Sequence, residues 1–315
     1  MNLSLVVPCY NEEDNIYDFY DCVNNCFKNC GFTYECVFVN DGSLDNTFDK
    51  LKQLANKRCG NIQVVSFSRN FGKESAIYAG LSHAKGEMVC IIDADLQQHP
   101  KVVLQMLDIL NTNPDIDCVA AYQKDRKEGS FISFLKSCFY KVINKISDVK
   151  FVSGASDFRL MRRQMVNAVL SMTEYHRFSK GILSWVGFNT EFIAYEVQKR
   201  QRGKSKWNII RLIKYAFEGI VSFSTVPLKI STFIGFISSL FAIGYLIVVV
   251  VQKLFFGIDI PGYATIIVLI LLLGGLILFC LGIIGEYLSR VYVQLKNRPI
   301  YIEKTYLDSS NDEKK

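Results

Sequence analysis

Short apolar runs alternate with amphipathic stretches through the first two-thirds of the chain. Leu3–Val7, Glu35–Asn40, Ile62–Phe67, Met88–Asp93 and Cys118–Ala121 are rich in Val, Ile and Phe and read as strands. Residues 12–29, Asp45–Arg58, Lys73–Ala84 and 101–111 space their apolar residues as helices do. Strand–helix alternation of this kind predicts an α/β fold, a mostly parallel sheet with helices on both faces. Such sheets hold ligands at the carboxyl ends of their strands. The polar clusters fall there: Pro8-Cys9-Tyr10-Asn11-Glu12, Asn40-Asp41-Gly42-Ser43, Ser68-Arg69-Asn70 and Asp93-Ala94-Asp95.

The pattern then changes. In residues 208–223 Ile209, Ile213, Ala216, Phe217 and Ile220 share one helical face, and Arg211, Lys214, Glu218 and Ser222 another. This suits a helix lying in a membrane interface. Residues 231–251 and 264–285 contain no charged residue, and each exceeds or matches the roughly 20 residues needed to cross a hydrocarbon core. The expected organisation is a catalytic domain over 1–207, an interfacial region over 208–229, an anchor of two spans over 230–287 and a tail over 288–315. Arg211, Lys214 and Lys229 precede the first span, and Arg290, Lys296, Arg298 and Lys304 follow the second. The positive-inside rule therefore predicts a multi-pass protein of the inner membrane, with the catalytic domain and both termini cytoplasmic. The strand-like start, without a signal-peptide pattern, agrees.

A mean hydropathy of +0.17 reflects those two segments. Ten cysteines, nine of them in a domain expected to be cytoplasmic, are expected as small apolar residues rather than disulfides. Cys22, Cys26 and Cys30 share a helix face, but no His or fourth Cys is spaced to complete a zinc set. His83 and His176 are expected to lack partners, His99 to sit at a helix start, and Trp185 to lie in the core. Neither GxGxxG nor GxxxxGK[ST] occurs, so no dinucleotide or P-loop site is supported. The run from Cys90 into Asp93-Ala94-Asp95 poses a charge problem. Two carboxylates that close repel and lose hydration if buried, so a positive partner is required. A divalent cation shared with a diphosphate would supply it.

The ordered stretches LSLVVPCYNEEDNI, FVNDGSLDNT, SRNFGKESAIYAGLSHAKGE, DADLQQHP, SDFRLM, KGILSWVG, RQRGKSKW, EGIVSFSTVPL and GEYLSRVYVQLKNRPIYI resemble the bactoprenol glucosyltransferases, family 2 enzymes related to dolichyl-phosphate mannose synthase. The resemblance runs from residue 3 to about 303. It implies a GT-A catalytic domain with a two-helix anchor, and inverting transfer of a sugar from a nucleotide donor to polyprenyl phosphate at the cytoplasmic face, for cell-surface glycan modification. UDP-glucose is the implied donor, with UDP-N-acetylglucosamine and GDP-mannose as alternatives. The acceptor is undecaprenyl phosphate, the cofactor Mg²⁺ or Mn²⁺, the assembly a homo-oligomer such as a tetramer, and no nucleic acid is involved.

Carried over by position, Pro8, Tyr10, Glu12 and Asp41 are expected to hold the nucleoside, Asp93 to lie near the donor ribose and sugar, and Asp95 and Gln97 to bind metal. Arg126, Lys136 and Arg200 are expected around the acceptor phosphate, with Arg200 and Lys206 on the diphosphate. Gln123 stands where many relatives have Arg, so Lys124 or Lys136 would take over that contact. The RQRGKSKW segment is expected to close over the donor. Asp157 is expected beside the reacting sugar, positioning it rather than acting as a base, because a lipid phosphate is already a nucleophile; a structural pairing with Arg159 is the alternative. Two other functions are open to the same sequence: a polysaccharide synthase, which expects a Q-x-x-R-W motif this chain lacks, and an inactive membrane scaffold.

Overall fold

Apolar residues in the first four strands are buried on both faces of the sheet. β1 (Leu3–Cys9), β2 (Tyr34–Asn40), β3 (Asn61–Phe67) and β4 (Met88–Ile91) run parallel in the order β3-β2-β1-β4. Near-continuous apolar runs are what two-sided burial demands. The computed structural model describes residues 1–57, 61–123, 140–141, 143–147, 149, 155–196, 218–256 and 262–309. The intervening helices are α1 (Ile16–Phe27), α2 (Thr47–Lys57), α3 (Lys73–His83) and α4 (Lys101–Thr112). In α1 the buried residues Ile16, Phe19, Tyr20, Val23 and Phe27 form one stripe. That helix starts later than its sequence pattern suggests because the backbone of Glu12 and Glu13 is bonded elsewhere. Their N–H groups go to Thr47 Oγ1 and to an Asp45 carboxylate oxygen.

The chain then adds β5 (Cys118–Gln123), β6 (Ala155–Arg162), α5 (Arg163–Ser171), α6 (Ser179–Trp185) and β7 (Thr190–Tyr195). β6 lies antiparallel between β4 and β5, and β7 is parallel to β5. Among the described residues the sheet has eight strands in the order β7-β5-β6-β4-β1-β2-β3-β8. The chain builds outward from β1 to β2 and β3, then returns to place β4 on the other side of β1. The reversal opens a crevice at the carboxyl ends of β1 and β4, where doubly wound sheets bind ligands.

β8 (Glu303–Asp308) comes from the segment read above as a tail. It pairs antiparallel with β3 and covers an edge that would otherwise expose unpaired backbone groups. Tyr301 stacks on Phe67 with ring centroids 4.8 Å apart, and Lys85 meets Asp308 at 2.8 Å. His83 gains the partners that its sequence context did not reveal: Glu303 at 3.1 Å and the ring of Tyr306.

The chain divides into two compact units, Met1–Gly219 with Pro299–Lys315, and Ile220–Arg298. The second holds α7 (Val226–Phe256) and α8 (Tyr263–Leu295). Two segments in them, Val226–Gln252 and Ile266–Leu295, are long and apolar enough to cross a membrane. Large side chains such as Phe233, Leu271 and Leu278 are more than 60% exposed. In water each would forgo roughly 1.5–3 kcal/mol of burial, so an apolar surrounding is the medium these helices fit. The hydroxyls of Thr232 and Ser239 bond back to the carbonyls of Leu228 and Gly235, which satisfies them without water. Polar contacts collect beyond the charge-free stretch: Tyr287 donates to Ser224 O at 2.6 Å, Arg290 to Ser222 Oγ at 2.8 Å, and Glu286 pairs with Arg290 one turn away. Residues 208–217, the greater part of the expected interfacial helix, lie outside the described residues; 218–223 are helical.

Gly42 has φ +62°, and a Cβ there would lie 2.3 Å from the Arg69 carbonyl carbon. Gly31 has φ +66° but open space around it. Gly31→Ala is therefore expected to cost about 1 kcal/mol of stability from backbone strain. Gly42→Ala is expected to cost a further 1–3 kcal/mol, roughly, because backbone must move. Thermal unfolding of the two variants side by side checks this; equal losses would refute the close approach.

Candidate active site

The loops after β1 and β2 are stitched to each other. Asn11, in a left-handed conformation with φ 55°, receives the Leu44 N–H on its side-chain oxygen and donates its own N–H to Ser43 Oγ. Glu13 accepts from the backbone and side chain of Asn46, and its carbonyl accepts from Lys50 Nζ at 2.8 Å. Pro8 lies in β1 and Tyr10 stands exposed just past it, while Glu12 accepts from Asn15 Nδ2 at 2.6 Å. These three expected nucleoside contacts thus sit on one rigid rim.

Asp41 follows β2 and is buried. Its carboxylate accepts the Phe71 N–H at 2.6 Å and the Gly72 N–H at 3.0 Å on its other oxygen. Burial raises its pKa, and these backbone bonds and Arg69 pull it back. The described role of Asp41 is therefore a clasp: it holds the turn whose close passage over Gly42 leads into α3. The first residue of α3 is Lys73.

Lys73 Nζ lies 2.6 Å from Asp93 Oδ1 and 3.3 Å from Asp157 Oδ2. The strand register accounts for the meeting. β4 and β6 pair Met88 with Arg162 and Ile91 with Arg159, and the same register carried two residues further sets Asp93 opposite Asp157. Burial alone would push the Asp157 carboxyl up, but Lys73, Lys180 and Arg159 outweigh it and hold it below the usual carboxylate range. Conversely, burial would lower the Lys73 pKa, but Asp93 and Asp157 raise it. Lys73 is still 44% exposed, so the cluster opens to solvent.

Gln98, nearly fully buried, pins the other side of Asp93. Its side-chain oxygen accepts the Asp93 N–H at 3.0 Å and its amide donates to Asp93 Oδ2 at 3.3 Å. Asp95 Oδ1 accepts the Gln97 N–H at 3.1 Å across a turn in which Leu96 has φ 58°. Behind Lys73, half-buried Glu74 accepts the N–H of Ser179 at 2.8 Å and its hydroxyl, tying α6 and hence Lys180 to α3. Burial and the neighbouring Asp157 raise the Glu74 pKa, against the opposing pull of Ser179 and Lys73.

Residues 4–170 match the family described as glycosyl transferase family 2, and residues 226–291 match the GtrB C-terminal hairpin. The chain is 44% identical over 303 residues to CsbB of Bacillus subtilis (strain 168), named provisionally as a glycosyltransferase, covering 96% of this chain and 91% of that protein.

The chain belongs to glycosyl transferase family 2.

It is also 41% identical over 305 residues to the SfII prophage-derived bactoprenol glucosyl transferase of Shigella flexneri, covering 96% of this chain and 98% of the other. The solved glucosyl-3-phosphoglycerate synthase of Mycobacterium tuberculosis, in complex with Mn²⁺, uridine-diphosphate-glucose and phosphoglyceric acid, has a TM-score of 0.47 and 19% identity, covering 70% of this chain and 77% of that one. The mixed, mostly parallel sheet of this family 2 glycosyltransferase is a GT-A fold.

Within that fold the metal expectation has a chemical fit. Asp95 and Gln97 place a carboxylate and an amide oxygen on one tight turn. Hard oxygen donors suit Mg²⁺ or Mn²⁺. The positive partner of Asp93, however, is Lys73. The charge problem that the sequence assigned to a cation is met, at Asp93, by the protein itself. Arg159 Nη2 donates to Ser156 O at 3.1 Å and its buried Nε has no hydrogen-bond partner, so the ion-pair partner of Asp157 is Lys73 rather than Arg159. Arg126, Lys136, Arg200, Lys206 and Lys124, with the RQRGKSKW segment, lie outside the described residues.

Two other sequence readings are corrected. Trp185 ends α6 with 59% of its surface exposed, so it is no core residue. His99 does reach the cysteines of α1: its Nε2 is 3.8 Å from Cys22 Sγ, with Cys26 close by. Its Nδ1 accepts the Lys101 N–H at 3.1 Å, which puts the proton of the neutral ring on Nε2, the atom facing sulfur. Burial and Cys26 push the Cys22 thiol up to about 11. The trio is a protonated thiol–imidazole contact rather than a ready ligand set, since a metal-bound ring normally donates from its other nitrogen. His99 sits at a helix start as its sequence context suggests.

Lys73, Gln98, Glu74 and Lys180 were not legible as site residues. Lys73 lies 20 residues before Asp93, and no spacing rule joins them. Asp41→Asn tests the clasp. It keeps the shape but turns one acceptor into a donor facing an N–H, so the expected cost is about 1–3 kcal/mol. It should also lower the transfer rate through displacement of the α3 start. An unchanged melting temperature would show that the clasp does not form.

Proposed function

We propose that this glycosyltransferase moves glucose from UDP-glucose to undecaprenyl phosphate at the cytoplasmic membrane face, with inversion, making a lipid-linked sugar for the cell surface. The observation that carries the reading is one chain holding a family 2 domain and an apolar hairpin, aligned along nearly the whole length of a bactoprenol glucosyl transferase. Pro8, Tyr10, Glu12 and Asp41 border the nucleoside, Arg200 and Lys206 reach the diphosphate, and Arg126, Lys136 and Arg200 receive the acceptor phosphate. α7 and α8 span the bilayer with both termini inside, and the protein works as a homo-oligomer.

The chemistry follows from charge. Transfer builds positive charge at the anomeric carbon and negative charge on the leaving diphosphate. A divalent cation at Asp95 and Gln97, Mg²⁺ or Mn²⁺, would supply Lewis-acid stabilisation of that leaving group. A phosphate monoester with a second pKa of about 6 is mostly dianionic at neutral pH. It therefore attacks without surrendering a proton, and no general base is needed. Asp157, held ionised by Lys73, Lys180 and Arg159, is a poor proton acceptor. It is well suited to face developing positive charge on the sugar.

Incubating the purified full-length chain with labelled UDP-glucose, UDP-N-acetylglucosamine or GDP-mannose and undecaprenyl phosphate tests the reading. Glucosyl lipid is expected, lost in EDTA and in Asp95→Asn and restored to the wild type by Mn²⁺ or Mg²⁺. Another sugar on the lipid would replace the donor only; no lipid product would remove the function. For Asp157→Asn the expected loss is about 10²–10³-fold, the scale of losing one preorganised electrostatic group, undiminished from pH 7 to 9, where the acceptor is already dianionic. Recovery towards the wild-type rate at high pH would make Asp157 a base.

A further inference from the structure

Lys73, the positive partner of Asp93, makes the shortest ion pair of the site. Its Nζ bridges Asp93, past the end of β4, and Asp157, in β6, at 2.6 and 3.3 Å. Two carboxylates set opposite one another by a strand register repel, and more strongly beside a protein wall than in open water. The backbone of Lys73 is fixed on three sides: by the helix it starts, by the turn that Asp41 clasps, and by neighbouring Glu74, bonded to α6. Other charged groups face Asp157 as well, Lys180 from α6, Arg159 from its own strand and Glu74 from α3. Among the described residues, Lys73 is the one in ion-pair contact with both carboxylates.

We propose that Lys73 is a positioning residue for sugar transfer: it acts through Asp157, holding that carboxylate at a fixed distance from Asp93 so that the two present a rigid pair to the reacting sugar. This rests on the role given to Asp157 under the proposed function. A group that fixes another group's placement changes the chemical step more than ground-state binding. It is also redundant once the group it places is gone, so the two substitutions should not add.

The experiment compares Lys73→Met, Lys73→Arg, Asp157→Asn and the Lys73→Met/Asp157→Asn double variant, all full-length, with labelled UDP-glucose and undecaprenyl phosphate. Lys73→Met is expected to lower kcat at least about 10-fold while the donor KM moves less than about threefold. Lys73→Arg should recover much of kcat, since a guanidinium still bridges two carboxylates. In the Asp157→Asn background, Lys73→Met should cost less than about threefold. An equal cost in both backgrounds overturns the inference, because Lys73 would then act independently of Asp157. So does a raised donor KM at unchanged kcat, which would mark a direct donor contact. Loss shared by both Lys73 variants with a lowered melting temperature would reduce the residue to a structural one and overturn the inference too. Wild-type kcat in Asp157→Asn alone would remove the role of Asp157 itself, and is distinguishable from all of these.

Discussion

Two carboxylates, Asp93 and Asp157, lie at neighbouring strand ends and repel each other unless a cation stands between them, as Lys73 does. That constraint organises the floor of the site. The antiparallel insertion of β6 beside β4 creates the facing pair. The helix that starts at Lys73 resolves it. Gln98 and Glu74 complete the arrangement from behind, one holding Asp93 and the other anchoring α6 and Lys180. Each of these groups is already bonded, so the site does not need to reorganise its own dipoles as charge develops. Preorganised electrostatics of this kind is commonly the largest single contribution to catalysis.

The cation is only as well placed as the turn that delivers it. Asp41, Gly42, Phe71 and Gly72 form that turn from two separate strand ends. The neighbouring rim, built from Asn11, Glu13, Ser43, Leu44 and Asn46, is cross-linked in the same manner. Polar loop residues that look interchangeable in a list thus divide into two kinds. Asp41 spends its carboxylate on the protein's own backbone, whereas Tyr10 projects outward. Loops locked to a sheet in this way suit a site that must meet a charged donor without a large entropic cost of ordering.

The second unit obeys a different solvent rule. Its helices leave their largest apolar side chains outward and turn their hydroxyls back onto their own carbonyls. Polar side-chain contacts gather at Ser222, Ser224, Glu286, Tyr287 and Arg290, past the charge-free stretch. Both helices run beyond the apolar segments because helix geometry has no reason to stop where hydropathy falls. After the second helix the chain rejoins the sheet as β8, so the catalytic unit is sealed along its β3 edge by residues from the far end of the sequence.

The alternation of apolar runs and amphipathic stretches was enough to place β1 to β5 and α1 to α4 nearly where they stand, because burial on two faces or one leaves a period in the sequence. Charge-free length revealed the two apolar helices for the same reason. Polar clusters at strand ends pointed to the region of the site through a general property of open sheets. What periodicity cannot carry is who faces whom. β6 and β8 pair through long-range register, and no local pattern records it. Lys73 meeting Asp93 and Asp157, Asp41 bonding Phe71 and Gly72, His99 reaching Cys22 and Glu303 reaching His83 are all contacts across 20 or more residues of sequence. The chemistry of each residue was legible in its type, but its partner was decided only when the sheet order and register brought distant segments within hydrogen-bond reach, where electrostatic and hydrogen-bond energies first act.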